Sequence, residues 1–352
     1  MLGGTATLLV VAAVFVFVLP RIADYRDVWD VVKELSWQDG LVLAGATVLN
    51  IATFPPSWMV ALPGLRYRQA LALTQASTAL TFVAPAGAAV GIAASYSMLR
   101  SWGFAGRPVG LAVAVTGIWN QLANLAFPIL ALALLTAEDQ DHPALRTTAL
   151  VGVAVLVVAL VAFGLALSSG AQARRVGDLV ARLARWAGRI VRRTEVRWSG
   201  EGLVRFRSSA LGLLRRRWHV LTLATLVGHL TVFLLLLACV RVVGIGSSEI
   251  TWIEAFAAWS LVRILGALPL TPGGVGIVEL GLSGALVAFG APNADAVAAT
   301  LLYRALTVLP TLGLGMLAAA TWRSHHPGEP LESPRDPDEG QVHQSKASRV
   351  PR

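Results

Sequence analysis

Apolar residues in this chain are grouped into blocks of about 20, and this grouping restricts the chain to folds that place helices in a membrane. A helix needs about 20 apolar residues to cross the ~30 Å hydrocarbon core of a bilayer. Of the 352 residues, 55% are hydrophobic and only 14% are charged, whereas soluble domains carry about 25% charged residues. Because lipid offers the backbone no hydrogen-bond partners, we expect helices throughout. The sequence therefore predicts an all-α, polytopic membrane helix bundle.

Six apolar blocks have the length of a single membrane crossing. They occupy residues 2–19, 40–62, 109–135, 144–168, 220–243 and 295–321. A signal peptide is the rival interpretation of the first block, but the block has neither a basic leading segment nor a small-residue cleavage site. We therefore predict about six full spans in a membrane domain of residues 1–322. The tail at 323–352 is rich in Pro, Ser and charge, and we expect it to be disordered and cytoplasmic.

Two further blocks, 69–99 and 252–289, are too long for one crossing and too short for two. Each is interrupted by proline and glycine, which remove a backbone donor and add conformational freedom. The sequence predicts a pair of short helices meeting at each break, as in a re-entrant hairpin. The break residues are Pro85 and Gly87 in the first block and Pro272, Gly273, Gly274 and Gly276 in the second.

Positive charge is concentrated between two predicted spans. Residues 171–218 hold 13 Arg against 3 acidic residues, which is typical of a cytoplasmic loop and does not require nucleic acid as a partner. Four arginines recur three or four residues apart, opposite an apolar face, which predicts an amphipathic helix on the anionic leaflet. The alternative is that these arginines only set the orientation of the protein in the membrane. These arginines are Arg182, Arg185, Arg189 and Arg192.

Counting spans outward from this cytoplasmic segment predicts two units of opposite orientation, at about 40–135 and 220–321, with both termini in the cytoplasm. The loop 21–39 is the exception to the charge rule, because it places three basic residues outside. Aligning the two breaks also aligns Gly103 with Gly290. Inverted repeats with discontinuous helices are how many transporters build a binding site at the middle of the membrane.

Three charged residues stand out inside the predicted membrane helices: Arg263, Glu279 and Arg304. Such residues are costly in lipid and commonly functional. One hypothesis pairs Glu279 with one of the arginines and leaves the other guanidinium for a lipid phosphate, which its planar fork suits. The alternative is a structural ion pair.

Uncharged polar residues complement these charges in the first unit. Asn120 and Asn124 share one helix face, and Gln75 and Gln121 lie in the same unit. We expect the two asparagines either to line the cavity, where they would contact substrate, or to bond neighbouring helices together, as we expect for Asn50 and His229.

The run Pro272-Gly273-Gly274-Val275-Gly276-Ile277-Val278-Glu279, followed by Tyr303-Arg304, resembles the transmembrane region of lysylphosphatidylglycerol synthases, the flippase domain of the multiple peptide resistance factors. The resemblance covers roughly residues 5–322. It implies a multi-pass protein of the bacterial plasma membrane with two re-entrant units and a role in translocating a phospholipid. It also implies functional weight on Glu279, Arg304 and the glycines of this run. The synthases continue into a soluble aminoacyl-transfer domain, and we do not expect synthesis of aminoacyl lipid here.

The sequence thus favours a flippase for a polar-headgroup lipid, whether a phospholipid, an aminoacyl-lipid or a glycolipid. A small-solute transporter is one alternative. Another is a non-transporting partner that docks a lipid-modifying enzyme through the basic segment. An enzyme is not expected, because no nucleophile–base pair or nucleotide motif is present. The single cysteine, Cys239, and the six histidines have no metal-ligand spacing, so no metal or cofactor is predicted.

Overall fold

The computed structural model describes residues 33–84, 87–138, 200–267 and 271–321, together with seven isolated positions between 26 and 161. Every regular element in this part of the chain is helical, which confirms the predicted all-α bundle. The helices are α1 (Trp37–Thr53), α2 (Pro55–Ala61), α3 (Tyr67–Val83), α4 (Gly87–Ser101), α5 (Gly106–Glu138), α6 (Gly200–Val242), α7 (Trp252–Ala267), α8 (Ile277–Ala288) and α9 (Asn293–Thr321), with a 3-10 turn at Pro272–Gly274 ahead of α8.

Four segments are long and apolar enough to cross a membrane, and they match four of the six predicted spans. They are Trp37–Ala61, Gly106–Ala137, Ala210–Val242 and Asn293–Thr321. The protein is therefore a multi-pass membrane protein. The other two predicted spans fall, but for isolated positions, outside the described residues. The arginines of the predicted amphipathic helix (Arg182, Arg185, Arg189 and Arg192) and the tail also lie outside them.

Helix α6 is longer than the span predicted at 220–243. It runs through 43 residues, about 65 Å at 1.5 Å per residue, or roughly twice the thickness of the hydrocarbon core. Its first half includes the exposed residues Arg215, Arg216 and Arg217. The end of the basic segment is therefore continuous with a membrane span, and is not a separate surface element.

Two antiparallel hairpins lie among the long helices. In the first, α3 and α4 pack so closely that Gly91 lies against the backbone oxygen of Ser77 and the hydroxyl of Thr81. In the second, a Cβ on Gly266 of α7 would lie 3.0 Å from Val278 of α8. These four helices have 12 to 17 residues, which at 1.5 Å per residue is less than the ~30 Å of a bilayer core.

The hairpins end in the same way. Gly103 follows α4 with φ 88°, and Gly290 follows α8 with φ 115°. In each case the N–H groups of the glycine and of the next residue donate back into the last helical turn, at 3.0 to 3.3 Å. This is the Schellman motif, which needs a left-handed residue and therefore favours glycine. Two positions that the sequence aligns with each other thus have the same backbone conformation.

Each hairpin begins and ends at one end of the bundle. Gly64, ahead of α3, lies beside Phe104, which follows α4. A Cβ on Gly290 would lie 3.4 Å from the backbone oxygen of Glu249, which precedes α7. The tips meet in between, since a Cβ on Gly273 would lie 2.7 Å from the ring of Phe82. The two hairpins therefore approach each other from opposite ends.

Helix α9 of the second unit packs closely against α3 of the first. Gly315 lies against the Cβ of Ala79 on α3, and a Cβ on Gly315 would lie 2.9 Å from the backbone oxygen of Gln75. Small residues allow such close approach, which drives helix association in membranes where no hydrophobic effect operates between helices.

Exposed arginines gather at the end of the bundle where α3 begins and α4 ends. The positive-inside rule associates such a concentration with the cytoplasmic face. These arginines are Arg66, Arg68, Arg100, Arg107, Arg215, Arg216 and Arg217.

Candidate functional site

The break between α7 and α8 is built from glycines. Gly273, Gly274 and Gly276 have φ values of 61°, 68° and 86°. Residues with a Cβ rarely adopt this left-handed region, at a cost of about 1–2 kcal/mol each. There is also little space, because a Cβ on Gly274 would lie 2.8 Å from Val278. The Pro-Gly-Gly-x-Gly sequence is thus required by the sharp change of backbone direction.

Glu279 and Arg304 satisfy the backbone groups that this break exposes. The N–H of Gly276 donates to Glu279 Oε2 at 2.6 Å. Arg304 on α9 donates from Nε to Glu279 Oε1 at 2.7 Å and from Nη2 to the backbone oxygen of Gly273 at 3.0 Å. The carboxylate is buried, and the arginine side chain is 12% exposed. The ion pair therefore fastens α9 to both sides of the break.

Arg263 belongs to a different network. From α7 it donates to Asn124 Oδ1 on α5, from Nε at 3.1 Å and from Nη2 at 2.7 Å. Its Nη2 also lies 2.8 Å from His229 Nδ1 on α6. Three helices thus converge on a guanidinium whose charge no carboxylate neutralises within the described residues.

The same network assigns the tautomer of His229. A guanidinium only donates, so His229 Nδ1 must accept. The proton is then on Nε2, which donates to Asn120 Oδ1 at 3.0 Å. His229 is consequently a neutral bridge between Arg263 and Asn120, and it adds no positive charge.

A cavity of about 530 Å³ opens between the first hairpin and helices α1, α2, α5, α6, α7 and α9. A smaller cavity of about 280 Å³ beside the second break shares Asn124, Arg263, Tyr303 and Arg304 with it. The polar lining of the larger cavity includes Gln75, Asn120, Asn124, His229, Arg263 and Arg304. It has the volume of a small-molecule site.

Aromatic rings flank both arginines. The guanidinium of Arg263 lies 4.8 Å from the ring centroid of Trp259, and that of Arg304 lies 6.0 Å from that of Phe82. A ring face stabilises a cation without neutralising it. None of the described residues that line the two cavities is acidic. Since Glu279 neutralises Arg304, the site keeps the positive charge of Arg263, which no carboxylate of the described residues neutralises.

The structure brings the candidate binding residues of the sequence together around one cavity. The residues that line it are Arg263, Arg304, Asn120 and Asn124. Glu279 does not line the cavity but accepts a hydrogen bond from Arg304. Both asparagines also form hydrogen bonds to side chains of other helices, so each of them both lines the cavity and joins two helices. Of the first break, α3 ends at Val83 and α4 begins at Gly87, while Pro85 lies outside the described residues.

Sequence reasoning missed three members of the site. His229 was expected to bond between helices, but its place beside Arg263 was not expected. Phe82 and Trp259 had no signal at all, because a single aromatic residue in an apolar block looks like any other core residue. Their roles follow only from the helix packing.

Comparison with known proteins identifies one family. The family model described as "Lysylphosphatidylglycerol synthase TM region" matches residues 5–315. A search of curated proteins found no match.

Proposed function

The chain belongs to the family of lysylphosphatidylglycerol synthase transmembrane regions, and from this premise we propose that it is a flippase, which moves the polar headgroup of a lipid across a bacterial plasma membrane. The observation that carries the proposal is the pair of arginines, Arg263 and Arg304, on two helices of one cavity. Intramembrane charge is costly, and its retention around a cavity is typical of a substrate pathway. No bond-breaking step is assigned to the protein.

The arginines suit a phosphate. Arg304 uses Nε and Nη2 within the break, and Arg263 uses Nε and Nη2 on Asn124 and His229. Nη1 of each therefore has no hydrogen-bond partner among the described residues. Guanidinium N–H groups form short, charge-assisted bonds to phosphate oxygens. A lipid phosphate in the cavity would receive such bonds from both helices.

The hairpins supply a route. We interpret them as re-entrant units of an inverted repeat, with the arginine-rich end of the bundle in the cytoplasm. Irregular backbone at membrane depth is tolerated only where protein or water surrounds it, and both breaks lie where the hairpin tips meet. Rocking of one unit against the other would then open the cavity to each side in turn, as in transporters built from inverted repeats.

The lipid tails need not enter the cavity. Its volume of about 530 Å³ suits a headgroup. Ile92 on α4 lines the cavity and is 57% exposed, so the cavity wall reaches the surface of the bundle at an apolar helix. Acyl chains would remain in the bilayer on that side while the headgroup crosses.

The test is headgroup translocation in proteoliposomes. Fluorescent phosphatidylglycerol is placed in both leaflets, and the fraction bleached by external dithionite is followed over time. Wild type is compared with Arg263→Gln and with Arg68→Gln, which removes an exposed arginine that lines neither cavity. We expect translocation by wild type and by the Arg68 variant, and a loss of at least tenfold in the Arg263 variant.

The alternatives give different results. If folded wild-type protein translocates neither phosphatidylglycerol nor any aminoacyl-lipid or glycolipid tested in the same way, the proposal is contradicted. That result favours a docking role for the basic segment. Equal rates in the Arg263 and Arg68 variants would mean that the cavity is not the route. A small-solute transporter would carry a phosphate-bearing solute in the same vesicles without moving lipid.

A further inference from the structure

We infer that a lipid headgroup enters the cavity sideways from the bilayer, through an opening between the first hairpin and α5, and that Gln121 beside this opening is the first protein group to bind it. The inference rests on the proposed flippase function and names the entry site that this function needs. Three features of the bundle support it: the side on which the cavity wall is exposed, the small residues there, and a polar side chain on the membrane surface of α5.

The exposed part of the cavity wall lies on one side of the bundle. Among the described residues that line the cavity, the exposed ones are Thr78, Ala88, Ile92 and Gly117. The first three belong to α3 and α4, and Gly117 belongs to α5. On the other helices, every described lining residue is buried or half-buried. The cavity therefore opens between the first hairpin and α5.

Small residues keep this opening free of side chains. A Cβ on Gly117 would have open space around it, and Ala88 on α4 carries only a methyl group. Gly117 also lies well inside the apolar membrane-spanning segment Gly106–Ala137. At that depth the bundle is surrounded by hydrocarbon. A molecule that enters here must therefore come from the bilayer itself, as a lipid does.

Gln121 places a polar group beside the opening. It follows Gly117 by one turn on the same helix face, near the middle of the 33-residue helix α5, and it is exposed. Among the described residues its one hydrogen bond comes from Asn124 Nδ2 to its Oε1, at 3.3 Å. Its Nε2 thus has no partner in the described part of the chain. A polar side chain on the lipid-facing surface of a span is costly and commonly functional.

A row of hydrogen bonds leads from Gln121 into the cavity. Asn124, which bonds to Gln121, also accepts from Nε and Nη2 of Arg263. A phosphate oxygen that accepts from Gln121 Nε2 is therefore one helical turn from the network that holds the guanidinium. Because a neutral amide donates to any phosphate oxygen, this first contact requires a phosphate and not a particular headgroup charge.

Spin labelling tests the opening without a transport measurement. A nitroxide on Gly117→Cys is compared in liposomes with one on Gly45→Cys, an exposed position of α1 that lines neither cavity. The native Cys239 is buried. We expect oxygen, which dissolves in the bilayer, to relax both labels to a similar extent. A label at Gly117 that oxygen does not reach would mean that another helix covers the opening, and it would overturn the inference.

A bulky residue should close the opening. Gly117→Trp is compared with Gly45→Trp in the proteoliposome assay with fluorescent phosphatidylglycerol. Both substitutions place the ring where a Cβ has open space, so both variants should fold and elute as wild type in size-exclusion chromatography. We expect Gly117→Trp to lose most of the translocation and Gly45→Trp to keep it.

Gln121→Leu tests the first contact. Leucine is favourable against lipid, so the Tm should not fall. At a low mole fraction of phosphatidylglycerol we expect translocation to slow by about tenfold, the usual effect of losing one hydrogen bond to a charged group. At a high mole fraction the rate should approach that of wild type, because only capture of the lipid is weakened. Equal slowing at all mole fractions, or no slowing at all, would overturn the role of Gln121 as the first contact.

The transport results separate this inference from the function on which it rests. If wild type moves no lipid, the flippase function is wrong and the entry site falls with it. If wild type moves lipid and Gly117→Trp moves it equally fast, the flippase function stands and the entry site between α4 and α5 is overturned.

Discussion

Arg304 Nε lies 2.7 Å from Glu279 Oε1, and this ion pair joins α9 to the break between α7 and α8. The same arginine reaches the carbonyl of Gly273 on the other side of the break. The pair is thus positioned both to hold the break in shape and to present charge to the cavity.

Glu279→Gln should lower stability strongly. The substitution leaves Arg304 charged and unpaired beside the break, and removal of one partner of a buried pair costs about 3–5 kcal/mol. Thermal denaturation in detergent should show a large fall in Tm, and the double variant with Arg304→Gln should lose less than the two single losses added together. Glu249→Gln, at an exposed position, is the control. Additive losses would mean that the two residues are not coupled.

Gly273→Ala should also destabilise the protein. Alanine at φ 61° is strained, and its Cβ would lie 2.7 Å from Phe82 at the tip of the first hairpin. We expect a loss of about 1–2 kcal/mol from the backbone alone. Gly284→Ala on α8 is the matched control, because nothing lies within 4 Å of its Cβ, and a helical Gly→Ala change gains up to about 1 kcal/mol. Similar Tm values for the two variants would argue against this backbone geometry.

Gly315→Ala should weaken the contact between α3 and α9. Its Cβ would meet Ala79 and the backbone of Gln75, so the helices must move apart and the cavity wall with them. Gly313→Ala, two residues away on the same helix, has open space around its Cβ. Circular dichroism on heating should show a lower Tm for the first variant only. A loss of equal size at both positions would point to a general intolerance of alanine in α9.

Asn124→Asp should keep the fold and impair transport of anionic lipid. The carboxylate is nearly the same size as the amide and would convert the hydrogen bonds from Arg263 into an ion pair. It would also cancel one positive charge of the cavity, and we expect at least a tenfold loss in the translocation rate of phosphatidylglycerol. Asn293→Asp, the same change at an exposed position that begins α9 and lines neither cavity, should leave that rate unchanged. Full activity of Asn124→Asp would exclude Arg263 from phosphate binding.

Labelling should reveal the orientation of the hairpins. Ser101 ends α4 and Ser248 precedes α7, and both positions are exposed. The native Cys239 is buried and should stay unlabelled. A membrane-impermeant maleimide should modify Ser101→Cys only from the cytoplasmic side and Ser248→Cys only from outside. Arg66→Cys, ahead of α3, should behave like Ser101→Cys. Modification of Arg66→Cys and Ser101→Cys from opposite sides would mean that the first hairpin spans the membrane.

The sequence by itself determined the elements. Block length and charge deficit predicted the membrane class and four spans that the structure describes, because crossing ~30 Å of hydrocarbon requires about 20 apolar residues whatever their neighbours. The positions of both helix breaks also followed from local chemistry, because proline and glycine act on their own backbone. In α6, by contrast, the start of the helix was missed: the span was predicted from residue 220, but the helix begins at Gly200, because arginines permit a helix to extend beyond the membrane.

Only the tertiary structure decided how the charges are shared. Arg263 and Arg304 are equivalent candidates in the sequence, yet Arg304 bonds to Glu279 while Arg263 bonds to Asn124, 139 positions away. Likewise, nothing local places Phe82 at Gly273. The apolar pattern of the sequence indicates that a residue lies in a membrane helix, but not whether its side chain faces lipid or another helix. Which helices meet, and at what height, depends on packing between segments far apart in the chain, and that packing creates the cavity.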